Sequence, residues 1–327
     1  MKQTGSIAYM SAALAVLFLV SLFLGRYPGP GFTSPGLLFS DTLTRQLILN
    51  FRLPRLITAV LLGAALGVSG HALQHLLINP LVEPGFLGVS QGSAFGASIA
   101  ILFFGGKLYL VQFSALIFAA AGLLVSFFIA HRIRFGGWIL RLVLAGISVS
   151  ALFTAGLGFF KYIADPLREL PEITFWLLGG LWGINWTRLL SVLPLCIPAL
   201  ILLFLFRWRI NAFSLSEEVM HSLGMTPKRG RVVILGCAVA ATASMISLCG
   251  IVAWVGLIVP HLSRRLFNVD TRYSLPASMV IGALFILGCD DISRVALASE
   301  IPLGILTSLF GAGVFIIMMI RKRTQSG

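Results

Sequence analysis

Two histidines and a glutamine lie close together in an otherwise apolar stretch, and their spacing could support metal binding or substrate contact. His71 and His75 flank Gln74 in the sequence SGHALQHLLINP. On a helix, residues four apart share one face, so both imidazoles could bind a metal or contact a passing substrate. Two histidines alone make an incomplete metal site. The favoured interpretation is therefore a polar pair that is hydrogen-bonded inside a helix bundle, with no metal bound.

A second polar cluster, SEEVMHSLGM at residues 216–225, interrupts the middle of the chain. As a helix it would have an apolar side and a polar side, and Gly224 could end it. The apolar side comprises Val219, Met220 and Leu223. The polar side comprises Glu217, Glu218, His221 and Ser222. Such a segment is either a solvated surface loop or a short helix on which a soluble protein docks. The residues alone leave both alternatives open.

Motifs of several enzyme classes are missing from the sequence. There is no GxxxxGK[ST] loop for ATP, no HExxH zinc motif and no GxSxG nucleophile motif. No acidic residue falls in the middle of a predicted span, which argues against a carrier that moves protons or sodium ions. The chain is therefore expected neither to be an enzyme nor to bind ATP itself.

The composition predicts an all-α membrane protein. Hydrophobic residues make up 58% of the 327 residues, charged residues only 11%, and the mean hydropathy is +0.98. Apolar runs of about 20 residues recur, which is the length that crosses a bilayer core as a helix. We expect one transmembrane domain, residues 1–327, with about ten spans. These are Ile7–Gly25, Leu53–Ile78, Gly85–Phe104, Leu108–Ala130, Trp138–Phe160, Leu189–Phe206, Val232–Gly250, Ile251–Leu262, Tyr273–Cys289 and Ile301–Ile320.

The stretch Val232–Leu262 requires a break. It holds no Asp, Glu, Lys or Arg, and it is too long for one crossing and too short for two full ones. Basic residues flank both ends, so both ends are expected on the same side of the membrane. Gly250 and Gly256 offer the break, and the return would be a short half-helix.

Charge sets the orientation. The formal net charge is +13, and most basic residues fall in the loops that an inside N-terminus would make cytoplasmic. Ten crossings then place both termini in the cytoplasm. No basic stretch is interleaved with exposed aromatic residues, so no nucleic acid is expected as a partner. Residues 161–188, with acids and tryptophans, are predicted to form an external surface helix.

Pairs of glycines recur at the spacing of helix contacts. Gly63 and Gly67 are four apart in the second span, and Gly92 and Gly96 are four apart in the third. Such pairs allow close helix approach in lipid. We expect packing within the chain rather than a dimer seam.

Seven motifs, in order and over nearly the whole chain, resemble the FecCD-type permeases of binding-protein-dependent ABC importers. They are FRLPRLITAVLLGAALGVSG (Phe51–Gly70), NPLVEPGFLGVSQGSAFG (Asn79–Gly96), LVLAGISVSALF (Leu142–Phe153), FWLLGGL (Phe175–Leu181), SLGM (Ser222–Met225), GIVAWVGLIVPHLSR (Gly250–Arg264) and EIPLGILTSLFGAGVF (Glu300–Phe315).

The resemblance implies a cobalamin-permease-like bundle that works as a homodimer in a bacterial or archaeal cytoplasmic membrane. It further implies two separate ATPase subunits, which bind ATP and magnesium, and an external binding protein. The implied cargo is a metal chelate: an iron–siderophore complex, haem or cobalamin. The alternatives are a small oxyanion such as molybdate or, less favoured, a stand-alone secondary transporter.

Site roles follow from the same resemblance. The coupling segment at about 211–230 would dock on the ATPase, and Arg52, Arg55 and Arg294 would receive acids of the binding protein. The coupling residues would be Glu217, Glu218, Met220, His221, Leu223 and Gly224. Ile139 and Leu140 match the position of a cytoplasmic gate, and their apolar side chains would close it by dewetting. The alternative for Ile139 and Leu140 is that both face lipid. The alternative for Arg294 is local pairing with Asp290 and Asp291, and the alternative for Arg52 and Arg55 is that their side chains extend to lipid headgroups.

Overall fold

The computed structural model describes residues 2–27, 29, 31–215, 217–222, 224 and 226–323. Within these ranges, eight helices are long and apolar enough to cross a membrane. Two shorter helices, Val89–Phe104 and Val255–Phe267, occupy the positions of the third and eighth predicted spans. Helices therefore lie at all ten predicted positions, which confirms the all-α membrane fold.

The helices follow one another with short connections. They are α1 (Lys2–Phe23), α2 (Leu37–Ser40), α3 (Thr42–Leu47), α4 (Leu53–Leu76), α5 (Val89–Phe104), α6 (Leu108–Arg132), α7 (Trp138–Ile163), α8 (Glu169–Leu178), α9 (Trp186–Leu205), α10 (Arg207–Ala212), α11 (Glu217–Ser222), α12 (Pro227–Cys249), α13 (Val255–Phe267), α14 (Thr271–Val295) and α15 (Leu303–Arg323). A π-helical turn (Ile48–Arg52) leads into α4, and a 3-10 turn (Pro84–Leu87) leads into α5. Two two-residue strands, β1 (Leu24–Gly25) and β2 (Gly31–Phe32), pair antiparallel.

Helix α4 lies at the centre of the bundle and packs against α12, α13 and α14. Every residue from Leu62 to Leu76 is buried. A Cβ atom at Gly63 or Gly67 would overlap a backbone carbonyl of Gly282 or Ser278 on α14. Because the glycines let the two helix backbones approach this closely, the expected packing within the chain is confirmed.

This close crossing makes a test of the fold possible with two glycines of one helix. Gly282 faces Gly63, whereas Gly288 has open space where a Cβ would stand. We expect Gly282→Ala to destabilise the protein by about 1–3 kcal/mol, because the added methyl group overpacks the crossing. Gly288→Ala should leave thermal stability in detergent unchanged. Equal melting temperatures for the two variants would contradict the described crossing.

The break between α12 and α13 lies at the first of the two predicted glycines. Helix α12 ends at Cys249, and Gly250 turns the chain with a φ of 73°. The carbonyl of Cys249, the last residue of α12, accepts a hydrogen bond from Gly180 N–H at 2.7 Å. Gly256 lies inside α13, so the break predicted there is wrong. The pairing of the freed backbone groups lets the chain turn within an apolar bundle.

The predicted external surface helix is present as α8, Glu169–Leu178. Its C-terminal end contacts the α12–α13 break, where Gly180 N–H donates to Cys249 O at 2.7 Å, and the start of α15, where Leu303 N–H donates to Gly179 O at 2.9 Å. Helix α8 therefore closes the outer end of the half-helix pair.

Candidate functional site

An ion-pair cluster joins the start of α4 to the end of α14. Arg55 contacts Asp290 at 2.9 Å and Glu300 at 2.7 Å, and Arg294 contacts Asp290 at 3.0 Å and also Asp291. The Asp290 side chain is 1% exposed, and Arg55 and Arg294 are 11% and 7% exposed. We call these five residues the outer ion-pair cluster. Both arginines are thus paired with acids inside the protein, and of the three acids Glu300 is the most exposed to solvent, at 38%.

The third predicted docking arginine lies beside this cluster. Arg52 donates to Leu22 O at 3.3 Å, to Thr33 Oγ1 at 3.2 Å and to Tyr27 O at 3.1 Å. All three predicted arginines line one outer cavity of about 520 Å³. The structure thus brings them together.

The local pairing of Arg294 is present as predicted. Arg55, which has no acid nearby in the sequence, is paired with acids 235 and 245 residues away. Docking of a binding protein on these arginines stays a prediction.

The two histidines lie inside the bundle, as the favoured interpretation predicted. His71 is fully buried, and its ring nitrogens lie 2.9 Å from Ser278 Oγ and 3.1 Å from Ser274 Oγ. His75 stacks on it with ring centroids 4.7 Å apart and bonds His71 O at 3.1 Å through Nδ1. Both nitrogens of His71 are hydrogen-bonded within the chain, and contact of this residue with a passing cargo stays a prediction.

Gln74 joins three segments of the same interior. Its amide nitrogen donates to Val82 O and Leu257 O, both at 3.2 Å, and its oxygen accepts from Arg264 at 2.5 Å. The residue therefore connects the α4–α5 connection and α13 to α4, and its path-lining role stays a prediction. Within the described part of the chain, no three His, Cys, Asp or Glu side chains come close enough to hold a metal ion.

The predicted coupling segment, at about 211–230, runs from the end of α10 through the short helix α11 into the first turn of α12. Met220 is fully buried and belongs to the same apolar cluster as Ile210 and Phe213. The side chain therefore anchors α11 to its own subunit, and the role of Met220 in ATPase coupling stays a prediction. Val219, which was also expected on the buried side, is 43% exposed.

The outward face of α11 carries Glu218 and His221, which are exposed, as is Gly224. Gly224 ends the helix as predicted, with a φ of 70° and its N–H bonded to His221 O at 2.9 Å. Leu223 and the Glu217 side chain lie outside the described residues. The described part of α11 thus presents charged and polar groups outward on an apolar anchor.

Asn211 ties this segment to the start of α14. Its amide nitrogen donates to Asp270 Oδ1 at 2.8 Å, and its oxygen accepts from Thr271 N–H at 2.9 Å. Partial burial of Asp270 opposes ionisation, but hydrogen bonds from Arg272 N–H and Asn211, with the charge of Arg272, hold its pKa below the usual range. The contact is therefore intact at neutral pH.

The two predicted gate residues differ in their surroundings. Ile139 is half-buried and packs against the apolar core, whereas Leu140 is 48% exposed. Leu140 lies over Gly136, since a Cβ there would come 2.8 Å from Leu140 Cδ2. Adjacent helical residues point about 100° apart, so only Leu140 is free to contact a partner subunit or lipid.

The sequence pattern did not single out Glu83, an acidic residue that lies inside the bundle. The α4–α5 connection turns back into the bundle, and Trp254 N–H hydrogen-bonds the Glu83 carboxylate there. The sequence signal was the motif NPLVEPG, whose prolines and glycine predict a turn beside the acid. It did not show that the turn would fold inward.

Comparison with known proteins agrees with this architecture over nearly the whole chain. The FecCD transport family model matches residues 13–321. The chain is 37% identical to the molybdate import permease MolB of Haemophilus influenzae, covering 96% of this chain and 95% of that protein. It is 36% identical to the hemin permease HmuU of Yersinia pestis, covering 85% and 84%.

A solved structure described as an inward-facing metal-chelate type ABC transporter has the same fold. It superposes with a TM-score of 0.90 at 34% identity, covering 97% of this chain and 99% of that one. The arrangement of eight long and two shorter helices at the predicted spans, the family match and these relatives agree. The chain is therefore a multi-pass permease subunit of an ABC importer and belongs to the FecCD transport family.

Proposed function

We propose that this chain forms, as a homodimer, the translocation path of an importer for a metal chelate such as an iron–siderophore complex, haem or cobalamin. The importer lies in a bacterial or archaeal cytoplasmic membrane, with both termini in the cytoplasm. Two separate ATPases bind ATP and magnesium and supply the energy, and an external binding protein delivers the cargo. The observation that carries the proposal is the full-length likeness to the metal-chelate type transporter.

Helix α11 supports the coupling role. It presents Glu218 and His221 outward, while Met220 holds the helix on its own subunit. A short, anchored helix with an exposed polar face is suited to docking in a groove of a soluble partner. Asn211 then connects the docked segment to α14.

A paired charge change tests this coupling surface. We expect Glu218→Lys with His221→Glu to reduce co-purification with the cognate ATPase by at least about tenfold, because contacting polar groups would meet unfavourable charges. The matched control is Arg168→Glu, at the predicted outer side, which should leave co-purification intact. Both variants should run as the same oligomer in size-exclusion chromatography. Undiminished ATPase binding by the double variant would contradict the coupling assignment.

The exposed face of α7 supports its placement along the path. Ser148 and Thr154 are exposed in the middle of this helix. Helix α7 also exposes large apolar side chains, among them Leu152 and Phe159, so its exposed face is mixed. By contrast, the exposed residues in the middle of α6 are all apolar and suit lipid, among them Phe113, Leu124 and Phe128. Hydroxyl side chains within a membrane typically face a bundle interior or an aqueous path, so α7 is the better candidate for the path wall.

The docking proposal is best tested at Arg52. Reversing Arg55 or Arg294 would break the outer ion-pair cluster, whereas Arg52 is held by carbonyls and a hydroxyl. We expect Arg52→Glu to weaken binding-protein affinity at low salt by about tenfold, because a charge-assisted contact becomes repulsive. Lys107→Glu, an exposed change that does not line the cavity, is the control. Equal affinities for the two variants would oppose docking at Arg52.

Molybdate is the second candidate cargo, because MolB shares 37% identity with this chain. Uptake of molybdate and of ferric chelates by the same reconstituted complex distinguishes the two. A stand-alone secondary transporter would instead move cargo without an ATPase.

A further inference from the structure

A cavity of about 350 Å³ lies beside α7 at membrane depth. It is bounded by the α4–α5 connection, by Ser150 halfway along α7 and by Thr242 in the outer half of α12. The α12–α13 break closes its remaining side through residues 251–253. The cavity therefore adjoins the helix that we place along the path.

The wall of this cavity carries unusual polarity for its depth. The polar side chains that line it are Glu83, Ser90, Gln91, Ser150 and Thr242. Thr242 is fully buried, and neither its Oγ1 nor Ser150 Oγ has a hydrogen-bond partner among the described residues. Unpaired buried hydroxyls are costly, which indicates that a polar group binds here.

Glu83 is the one charged residue among those that line the cavity. Its carboxylate accepts from Trp254 N–H, at the start of the 13-residue helix α13. Burial opposes ionisation of this carboxyl group, whereas the Trp254 hydrogen bond and the N-terminus of α13 favour it, so a cationic group that enters the cavity would stabilise the carboxylate. No basic side chain lines the cavity to neutralise it. The cavity therefore holds an acid without a basic partner among its lining residues, with hydroxyl and amide groups around the acid.

Building on the proposed function, we infer that this cavity is a cargo-contact site in the path, at which Glu83 favours cargo with positive charge or hydrogen-bond donors and disfavours oxyanions. The hydroxyls of Ser150 and Thr242 and the amide of Gln91 would bond the polar periphery of such a cargo. A chelate that presents ammonium, amide or hydroxyl groups fits this chemistry. The carboxylate would repel a bare dianion, because no basic side chain lines the cavity to balance the charge.

Charged thiol reagents test the site without knowledge of the natural cargo. The full chain with Ser150→Cys, in nanodiscs, is treated with a trimethylammonium methanethiosulfonate and with its sulfonate counterpart. We expect the cationic reagent to react about tenfold faster, after correction for its rate with a free thiol, because Glu83 attracts it. In Glu83→Gln, which keeps the size of the side chain, the corrected ratio should fall to about one.

The controls separate path access from background. The parent chain, whose four cysteines are buried or half-buried, gives the background rate. Leu124→Cys, on the exposed apolar face of α6, should react with neither reagent. If Ser150→Cys fails to fold, Gln91→Cys, at a half-buried position of the same lining, reports in its place.

Two results would overturn the inference. The first is that neither reagent labels either introduced cysteine, and the second is that the preference for the cationic reagent persists in Glu83→Gln. Labelling requires neither ATP nor the ATPase. If the labelling shows the expected charge preference but the complete importer shows no ATP-driven uptake, only the proposed function is contradicted. Normal uptake without labelling would contradict this inference alone.

Discussion

Asp290→Asn is expected to destabilise the folded protein by about 1.5–3 kcal/mol, because Arg55 and Arg294 each lose a buried carboxylate partner and keep only Glu300 and Asp291, respectively. Asp290 is 1% exposed and contacts both guanidinium groups at 2.9 and 3.0 Å. The change removes the charge that joins α4 to α14. Thermal unfolding in detergent, followed by tryptophan fluorescence, measures the loss.

The matched control for this prediction is Arg26→Met. Arg26 is exposed near the same end of the bundle and makes one hydrogen bond, to Val295 O at 3.2 Å. An exposed charge contributes at most about 1 kcal/mol, so its removal should change the melting temperature little. If Asp290→Asn is as stable as Arg26→Met, the outer ion-pair cluster does not hold the helices together.

Leu140→Ser is expected to make the inner mouth of the dimer leak, because a hydroxyl hydrates a constriction that an apolar side chain keeps dry. The sequence predicted a gate at both Ile139 and Leu140, but only Leu140 has an exposed side chain. Ile139→Ser should mainly destabilise the protein, since this residue packs against the core. Release of a small fluorescent dye from liposomes, without ATP, measures the leak.

The control for the gate is a leucine on another helix. Leu124 is 65% exposed on α6, and Leu124→Ser makes the same chemical change away from the proposed constriction. It should leave dye release at the level of the parent protein. Similar release from Leu140→Ser and the parent would favour the alternative that Leu140 faces lipid.

The spans were predictable because a bilayer imposes a simple length rule on apolar helices. The same rule exposed the α12–α13 break, since residues 232–262 could be neither one crossing nor two full ones. Glycine spacing also predicted packing correctly, because the contact of Gly63 with Gly282 depends on the absence of a side chain. These features are local in sequence.

The partners of polar residues were not predictable in the same way. Arg55 pairs with Glu300, which is 245 residues away in the sequence, and His71 is hydrogen-bonded to Ser278, which is 207 residues away. The inward turn that buries Glu83 depends on where α13 begins, and the burial of Met220 depends on where Ile210 and Phe213 lie. Such contacts follow from tertiary packing, which residue spacing within one segment does not specify.

Helix α14 connects the two ends of the proposed mechanism. Asn211 contacts its first turn, and Asp290 and Arg294 lie in its last turns. A helix of 25 residues is about 37 Å long, so one rigid element spans the membrane between them. We propose that movement of the coupling segment reaches the outer ion-pair cluster through α14.

The most direct test of the central claim is cargo uptake by proteoliposomes that contain the chain, its cognate ATPase and the binding protein. The account predicts accumulation of a ferric chelate, haem or cobalamin that requires ATP hydrolysis and stops when the ATPase nucleotide site is disabled. Uptake by the chain alone, driven by an ion gradient and indifferent to ATP, would contradict it.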